Sequence, residues 1–294
     1  MQSPHYPVMN SEIITVFSDT DQRLFIDCTV GLGGHSYYML TNFIKSRVIA
    51  IDIDKSSIRS AKKNLAPFSE RIQFYQCDYL DLFERVDLSG STVSGILVDP
   101  GLSMEQLKNP DRGFSHQADS RLDMRKDTSQ KLTAADVVNR CTEAELATIF
   151  REYGEVRYPE KLAKKIIERR LFSPVETTRQ LREIVEQFDK SRLKKGRAHP
   201  AARVFQALRI FVNKELEGVD RFLQKLPGYL NRGSRIVYLT YHSVEDRIVK
   251  RGLKSLREKG LVRILKPFPM FPGPEEISEN LASRSAKLRA AEVL

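Results

Sequence analysis

Four short, uninterrupted apolar runs, each followed by a helical or turn-forming stretch, limit most strongly what the first hundred residues can fold into. They are RLFIDCTV (Arg23 to Val30), RVIAIDID (Arg47 to Asp54), RIQFYQCD (Arg71 to Asp78) and SGILVDP (Ser94 to Pro100). Apolar runs of this length without polar alternation suit parallel strands covered on both faces. HSYYMLTNFI follows the first run and KSSIRSAKKNLAPF the second, and both have helical character, the latter stopping near Pro67. Strand and helix in turn predict an α/β fold with a doubly wound, Rossmann-like sheet.

After Pro100 the rhythm changes. Residues from about Lys108 to Asp127 are polar and turn-rich, and TAADVVNRCTEAELATIFREYG predicts a helix pair with Thr133 and Thr142 as N-caps. YPEKLAKKIIERRLF and TTRQLREIVEQF predict two more helices, and RLKKGRAHP a basic loop ending at His199 and Pro200. The α/β character returns in AARVFQALRIFVNKELEGVDRFLQKLPGYL, a long helical stretch broken near Gly218 or Pro227. SRIVYLTYHS (Ser234 to Ser243) then predicts a strand and VEDRIVKRGLKSLREKG a helix, while the final LRAAE predicts an ordered strand or helix docked on the core. The organisation expected is a sheet domain at 1–107 and 200–294, with an inserted helical domain at 108–199.

Charge narrows the partner. Lys and Arg number 48 against 38 for Asp and Glu, a net charge of +10, which favours a polyanion because each neutralised phosphate releases counterions. Cys28, Cys77 and Cys141 contain no CxxC pair, so neither a zinc site nor a disulfide framework is expected, and no metal. The N-terminal MQSPHYPVMNSEII lacks the basic start and apolar core of a secretory signal, and no apolar run approaches the roughly 20 residues of a membrane span. The expectation is a soluble, cytoplasmic protein with no membrane partner.

The first strand runs into DCTVGLGGHS (Asp27 to Ser36), where glycines let a ligand approach the backbone before a helix begins. Gly31 and Gly33 fit the first two places of GxGxxG, and Ser36 stands in the third. A tight strand-to-helix connection satisfies the same pattern, so the turn alone does not specify a ligand. Asp52 ends the second strand, where an acidic side chain binds ribose hydroxyls, while Asp54 suits an N-cap. Tyr79, after the third strand, is placed either to stack on adenine or to cover the sheet edge. Asp27 at the end of the first strand can attract a cationic amino-acid moiety, which inclines this nucleoside site towards S-adenosylmethionine, the bearer of an ammonium and a sulfonium.

The fourth strand ends in Asp99-Pro100-Gly101-Leu102. Cytosine's exocyclic amine is a poor nucleophile because its lone pair is delocalised into the ring. A carboxylate and a backbone carbonyl accepting its two hydrogens favour a pyramidal nitrogen, and Asp99 with the Pro100 carbonyl supplies such a pair. An Asp-Pro turn ending a strand is the plain alternative. Methylation at C5 of a pyrimidine needs a cysteine nucleophile, and no cysteine stands beside a proline or at this strand end.

With these motifs in order, the chain resembles the bacterial 16S ribosomal RNA cytosine-N4 methyltransferase family from HYPVMNSEII to RSAKLRAAE. The marks are DCTVGLGGHS, AIDID, LVDPGLSMEQL, DRGFS, RLDMR, YGEVR, HPAARVFQALRIFVNKEL and YHSVEDRIVK. The resemblance implies a Rossmann-like class I methyltransferase sheet with an inserted helical domain for RNA or substrate recognition. It implies cofactor-binding places for Gly33, Gly34, His35, Asp52, Tyr79, Asp99 and Gln106, with S-adenosylmethionine as cofactor. The implied substrate is a decoding-region cytidine of 16S ribosomal RNA within the small ribosomal subunit; the oligomeric state stays open, a homodimer included. Arg112, Asp123, Arg125, His199 and His242 are candidates to bind phosphate or orient a flipped base, with a structural ion pair between Asp123 and Arg125 the alternative. Lys161, Lys164, Lys165, Arg169, Arg170 and the Lys194 to Arg197 loop could form a phosphate-binding face, and His5 could anchor the N-terminal arm. The chain departs from the family's DLGVSS at Asp99 to Met104, from its common Phe at Tyr79, from DGPLDMRM at Asp119 to Lys126, and from SFHSLEDR at Thr240 to Arg247. The rival readings are an amino methyltransferase acting on DNA cytosine or adenine, a non-catalytic RNA-binding assembly factor, and a nicotinamide-dependent oxidoreductase, the last disfavoured by the missing third glycine.

Overall fold

The apolar runs become strands, buried on both faces inside the sheet and only partly buried at the edge strand Ile72–Gln76. A computed structural model describes residues 7–102, 106, 109–189 and 199–294. The chain forms two compact units, Met1–Gly101 with Glu217–Leu294, and Leu102–Leu216. In the first unit the strands are β1 (Leu24–Asp27), β2 (Arg47–Asp52), β3 (Ile72–Gln76), β4 (Val93–Val98), β5 (Arg235–Thr240), β6 (Val262–Ile264) and β7 (Lys287–Val293). They form one sheet of order β3-β2-β1-β4-β5-β7-β6. The first five are parallel, and β7 runs antiparallel to both of its neighbours. Every residue of β4 and β5 is buried, as parallel strands under helices require.

The helices of this unit are α1 (Asn10–Ser18), α2 (Gly34–Asn42), α3 (Lys55–Asn64), α4 (Leu82–Arg85), α10 (Val219–Lys225), α11 (Ser243–Glu258) and α12 (Pro274–Glu279). Side chains alternate across the sheet. Phe25, Leu97, Val237 and Leu239 face Phe17 of α1 and Met39 and Leu40 of α2. Ile26, Ile96, Ile236 and Tyr238 face Phe222 of α10 and Val249 and Leu253 of α11. Gly95 is the one β4 position where a side chain cannot fit under α1, since a Cβ there would lie 2.5 Å from Phe17 Cε1. The final segment is a strand, β7, and short β6 and α1 also lie outside the elements read from the sequence.

The second unit is helical: α5 (Ala134–Arg140), α6 (Glu143–Glu152), α7 (Pro159–Arg170), α8 (Thr178–Phe188) and α9 (Pro200–Asn213). Thr133, Thr142 and Thr177 form capping boxes with Asp136, Glu145 and Gln180, each satisfying otherwise unpaired N–H groups. The unit ends later than the sequence suggests, at Leu216 rather than residue 199, and begins at Leu102 rather than 108. The reason is α9: Ala201, Val204, Phe205 and Leu208 pack into one apolar cluster with Leu146, Phe150, Leu162 and Leu181. That helix stops where Lys214 turns left-handed at φ 51°, ahead of the expected break, and Gly218 starts α10 at φ 87°. Glu215, just past the turn, accepts from Arg209 Nη2 and pairs with Lys126 Nζ, both at 3.0 Å. Burial alone would raise its pKa, but the two cations outweigh it and lower it to about 2. Among the described residues, no helix is long and apolar enough to cross a membrane.

Candidate active site

Ligands of open α/β sheets sit beyond the carboxyl ends of the strands, where the strand order reverses. Here the reversal lies between β1, whose order continues to β2 and β3, and β4, whose order continues to β5. The turn after β1 is held by its neighbours: Cys28 N donates to Leu97 O at 2.9 Å and Val30 N to Ile51 O at 2.8 Å. Gly31 and Gly33 take positive φ values of 53° and 91°, open to glycine without strain. A Cβ on Gly33 would also meet Leu65 Cδ1 at 2.7 Å. Gly34 is the first residue of α2.

Asp52 spans from β2 to this turn, accepting from Gly31 N through Oδ2 and from Asp54 N through Oδ1, both at 2.9 Å. Asp54 caps α3 by accepting from Ser56 N. Asp27 differs from its expected place. It is fully buried, accepts from Ser36 Oγ at 2.6 Å and from Thr29 N at 3.2 Å, and burial raises its pKa. Its carboxylate ties β1 to α2 beneath the turn rather than facing outward, because Ser36 brings a hydroxyl within reach one helical turn into α2.

Three side chains converge at the reversal. Asp99 follows β4, and its N–H donates to Thr29 Oγ1 at 2.7 Å, fixing the β4 end to the β1 turn. Tyr241, just beyond β5, donates its hydroxyl to Asp99 Oδ1 at 2.7 Å. His35 Nε2 stands 3.3 Å from Asp99 Oδ2. The Asp99 side chain remains 19% exposed while that of His35 is 6% exposed, so the carboxylate is the more open of these two. His35 Nδ1 is buried with no protein partner among the described residues. Burial, reinforced by Asp99, pushes the Tyr241 phenol well above its ordinary pKa, which keeps it a donor.

Tyr79 is half-buried. Its hydroxyl lies 3.0 Å from that of Tyr238, and its ring meets Phe222 edge-on at 5.1 Å. Cys28 is buried and Cys77 half-buried, both as free thiols. His242 is the N-cap of α11, its Nδ1 accepting from Glu245 N.

Within the helical unit the remaining candidates satisfy one another. Arg125 donates through Nε and Nη2 to the two oxygens of Asp123, each at 2.7 Å, and through Nη1 to the carbonyls of Thr128 and Gln130. Arg112 donates to the carbonyls of Arg125 and Lys126. His199 caps α9 and bonds Glu186 at 3.1 Å. Lys161, Lys164, Lys165 and Arg169 are exposed on α7, but Arg170 is spent on the carbonyls of Val138 and Cys141. Gln106 is buried in the helical unit. His5 and the Lys194 to Arg197 loop lie outside the described residues. Sequence reasoning passed over Tyr241, Thr29 and Ser36; a polar residue immediately after β5, level with Asp99 after β4, was the available signal for the first.

Similarity to known proteins covers the same span as this architecture. The profile of the MraW methylase family matches residues 2–294. The chain is 44% identical over 291 residues to a protein of Cyanothece sp. called ribosomal RNA small subunit methyltransferase H, covering 99% of this chain and 95% of that one. Proteins of the same name from Persephonella marina and Thermotoga neapolitana are 42% and 41% identical, covering 98% and 99% of this chain and 98% and 96% of theirs. Near-complete coverage in both directions extends the likeness over sheet and helical insertion alike, and the chain belongs to the MraW methylase family.

Proposed function

We propose that this protein transfers a methyl group from S-adenosylmethionine to N4 of a cytidine in the decoding region of 16S ribosomal RNA, within the small subunit. The observation that carries the reading is the Asp99 carboxylate at the strand-order reversal, partly exposed and contacted by the Tyr241 hydroxyl at one oxygen and the His35 ring at the other. Family membership, the name shared by the relatives and the net charge of +10 support a ribosomal RNA substrate.

The donor set fits a nucleoside bearing an amino acid. The glycine turn brings backbone close to a ligand, Asp52 stands at the ribose position after β2, and the buried, unpartnered His35 Nδ1 offers a polar atom that a ligand can satisfy. Gly31, Gly33, Gly34, His35, Asp52 and Asp99 would hold the cofactor; Tyr79 and Gln106 belong to the same proposed set, and Asp27 supports the turn from beneath. When bound, S-adenosylmethionine supplies an electrophilic methyl group.

Asp99 and Pro100 act on the acceptor. With Tyr241 donating to one oxygen, and His35 facing the other, Asp99 presents only acceptor capacity to a substrate. It therefore selects an N–H donor. One amine hydrogen goes to Asp99 and the second to the Pro100 carbonyl, turning the nitrogen towards a pyramidal geometry with its lone pair directed outward. Asp99 would accept the proton that the nitrogen sheds on taking up the methyl group that the cofactor would supply. The base must leave its stack to reach the carboxylate. The exposed Lys161, Lys164, Lys165 and Arg169 suit RNA phosphates on the helical unit.

Labelled S-adenosylmethionine and small subunits from cells lacking the modification test the reading. Digestion after reaction is expected to give label in N4-methylcytidine. Label confined to DNA, to C5 of a pyrimidine or to another nucleoside overturns it.

A further inference from the structure

Two side chains meet at the Asp99 carboxylate, Tyr241 and His35. Pro100 has no N–H to give. The Gly101 N–H is spent on the Asp99 main-chain carbonyl at 2.8 Å, and the Asp99 N–H on Thr29. Among the described residues, the donors to the Asp99 carboxylate are therefore side chains. His35 is the longer contact, at 3.3 Å, and donates only in the tautomer that carries hydrogen on Nε2. The Tyr241 hydroxyl is the shorter one, at 2.7 Å.

The phenol is fixed in place. Its backbone N–H donates to Glu245 Oε2 at 3.3 Å, and Glu245 is itself buried in the first turn of α11. The ring lies beside Gly101, where a Cβ would sit 3.8 Å from Tyr241 Cε2.

We propose that Tyr241 is a positioning residue that orients the Asp99 carboxylate for the acceptor amine. The hydroxyl occupies one lone-pair direction of Oδ1 and so fixes the rotation of the carboxylate about its Cβ–Cγ bond. The remaining acceptor directions then face the incoming nitrogen. A phenylalanine at 241 keeps the ring but frees the carboxylate to rotate. This inference rests on the proposed amine acceptor.

The test compares the full-length protein with Tyr241→Phe on small subunits. Loss of a hydrogen bond to a charged group corresponds to roughly a ten-fold fall in rate. Tyr241→Phe is expected to lower kcat about ten-fold, with KM for RNA and methyl donor within about two-fold, by that same scale. Calorimetric affinity for S-adenosylhomocysteine is expected to change less than about two-fold in Tyr241→Phe, since the hydroxyl serves the acceptor side. A kcat within two-fold of the parent (roughly the resolution of such comparisons), or a loss carried by KM or by S-adenosylhomocysteine affinity, overturns the inference. The nucleoside labelled by the parent enzyme separately decides the amine reading, and the kcat ratios are taken on whichever nucleoside carries label.

Discussion

Asp99 and Asp123 are both acidic residues singled out by the sequence, and the two units of the molecule use them in opposite ways. Asp123 meets a guanidinium: Arg125 satisfies both of its oxygens and then spends its remaining donor on carbonyls of its own loop. Burial works against the Asp123 carboxylate, but Arg125 outweighs it and leaves the pKa lowered. Asp99 meets a phenol and an imidazole, groups that hold a carboxylate without saturating it. A paired acid and base close a loop; an acid held by weaker donors stays available to a substrate. The residue types in a motif did not separate these roles, and the identity of each carboxylate's partner does.

The largest expected effect breaks the Asp99 side of this comparison. Asp99→Ala is expected to cost at least about 100-fold in kcat, on the scale of a lost general acid–base or amine-orienting group, with little change in melting temperature. A variant that melts early and keeps its kcat would make Asp99 a structural residue like Asp123.

Glu215→Gln should act on stability. Its folded pKa of about 2 lies below the ordinary 4.5, so its contribution is fully present above 4.5 and lost as pH falls through 2. The shift corresponds to about 3 kcal/mol. The difference in unfolding free energy between parent and variant should therefore be large at pH 6 and shrink below pH 4.5. A difference independent of pH would contradict the ion cluster.

Asp123→Ala sharpens the comparison from the other side. Leaving Arg125 half-buried and unpaired should destabilise by about 2 kcal/mol, read in denaturant unfolding. If Asp123 and Arg125 instead meet RNA, the Arg125→Ala variant would lose RNA affinity in a salt-dependent way without a change in melting. The smallest effect is expected at Lys164, where alanine should lower RNA affinity less than about three-fold and reduce the salt slope by nearly one. An unchanged slope would remove α7 from the RNA-binding surface.

Much of the sheet is legible in the sequence because burial on both faces removes polar alternation, as in β4 and β5. The threonine caps are equally legible, since a capping box is a local contact. The end of the helical unit was not. Residues 200–230 read as a long helical stretch broken only near Gly218 or Pro227, and nothing in the identity of Lys214 announces its left-handed turn. Strand β6 is too short to show a period. At the site, the glycine turn, Asp52 and Asp99 stand at strand ends and could be found by order alone. Tyr241 could not be paired with Asp99, which lies 142 residues earlier. Likewise, only the fold shows that Ser36 draws Asp27 inward.

The most direct test of the central claim is a single-turnover measurement with saturating labelled S-adenosylmethionine, parent against Asp99→Ala, with the product nucleoside identified in each. The account predicts N4-methylcytidine from the parent and a rate at least about 100-fold lower from the variant. Equal rates, or a product methylated anywhere but the exocyclic amine of cytidine, would contradict it.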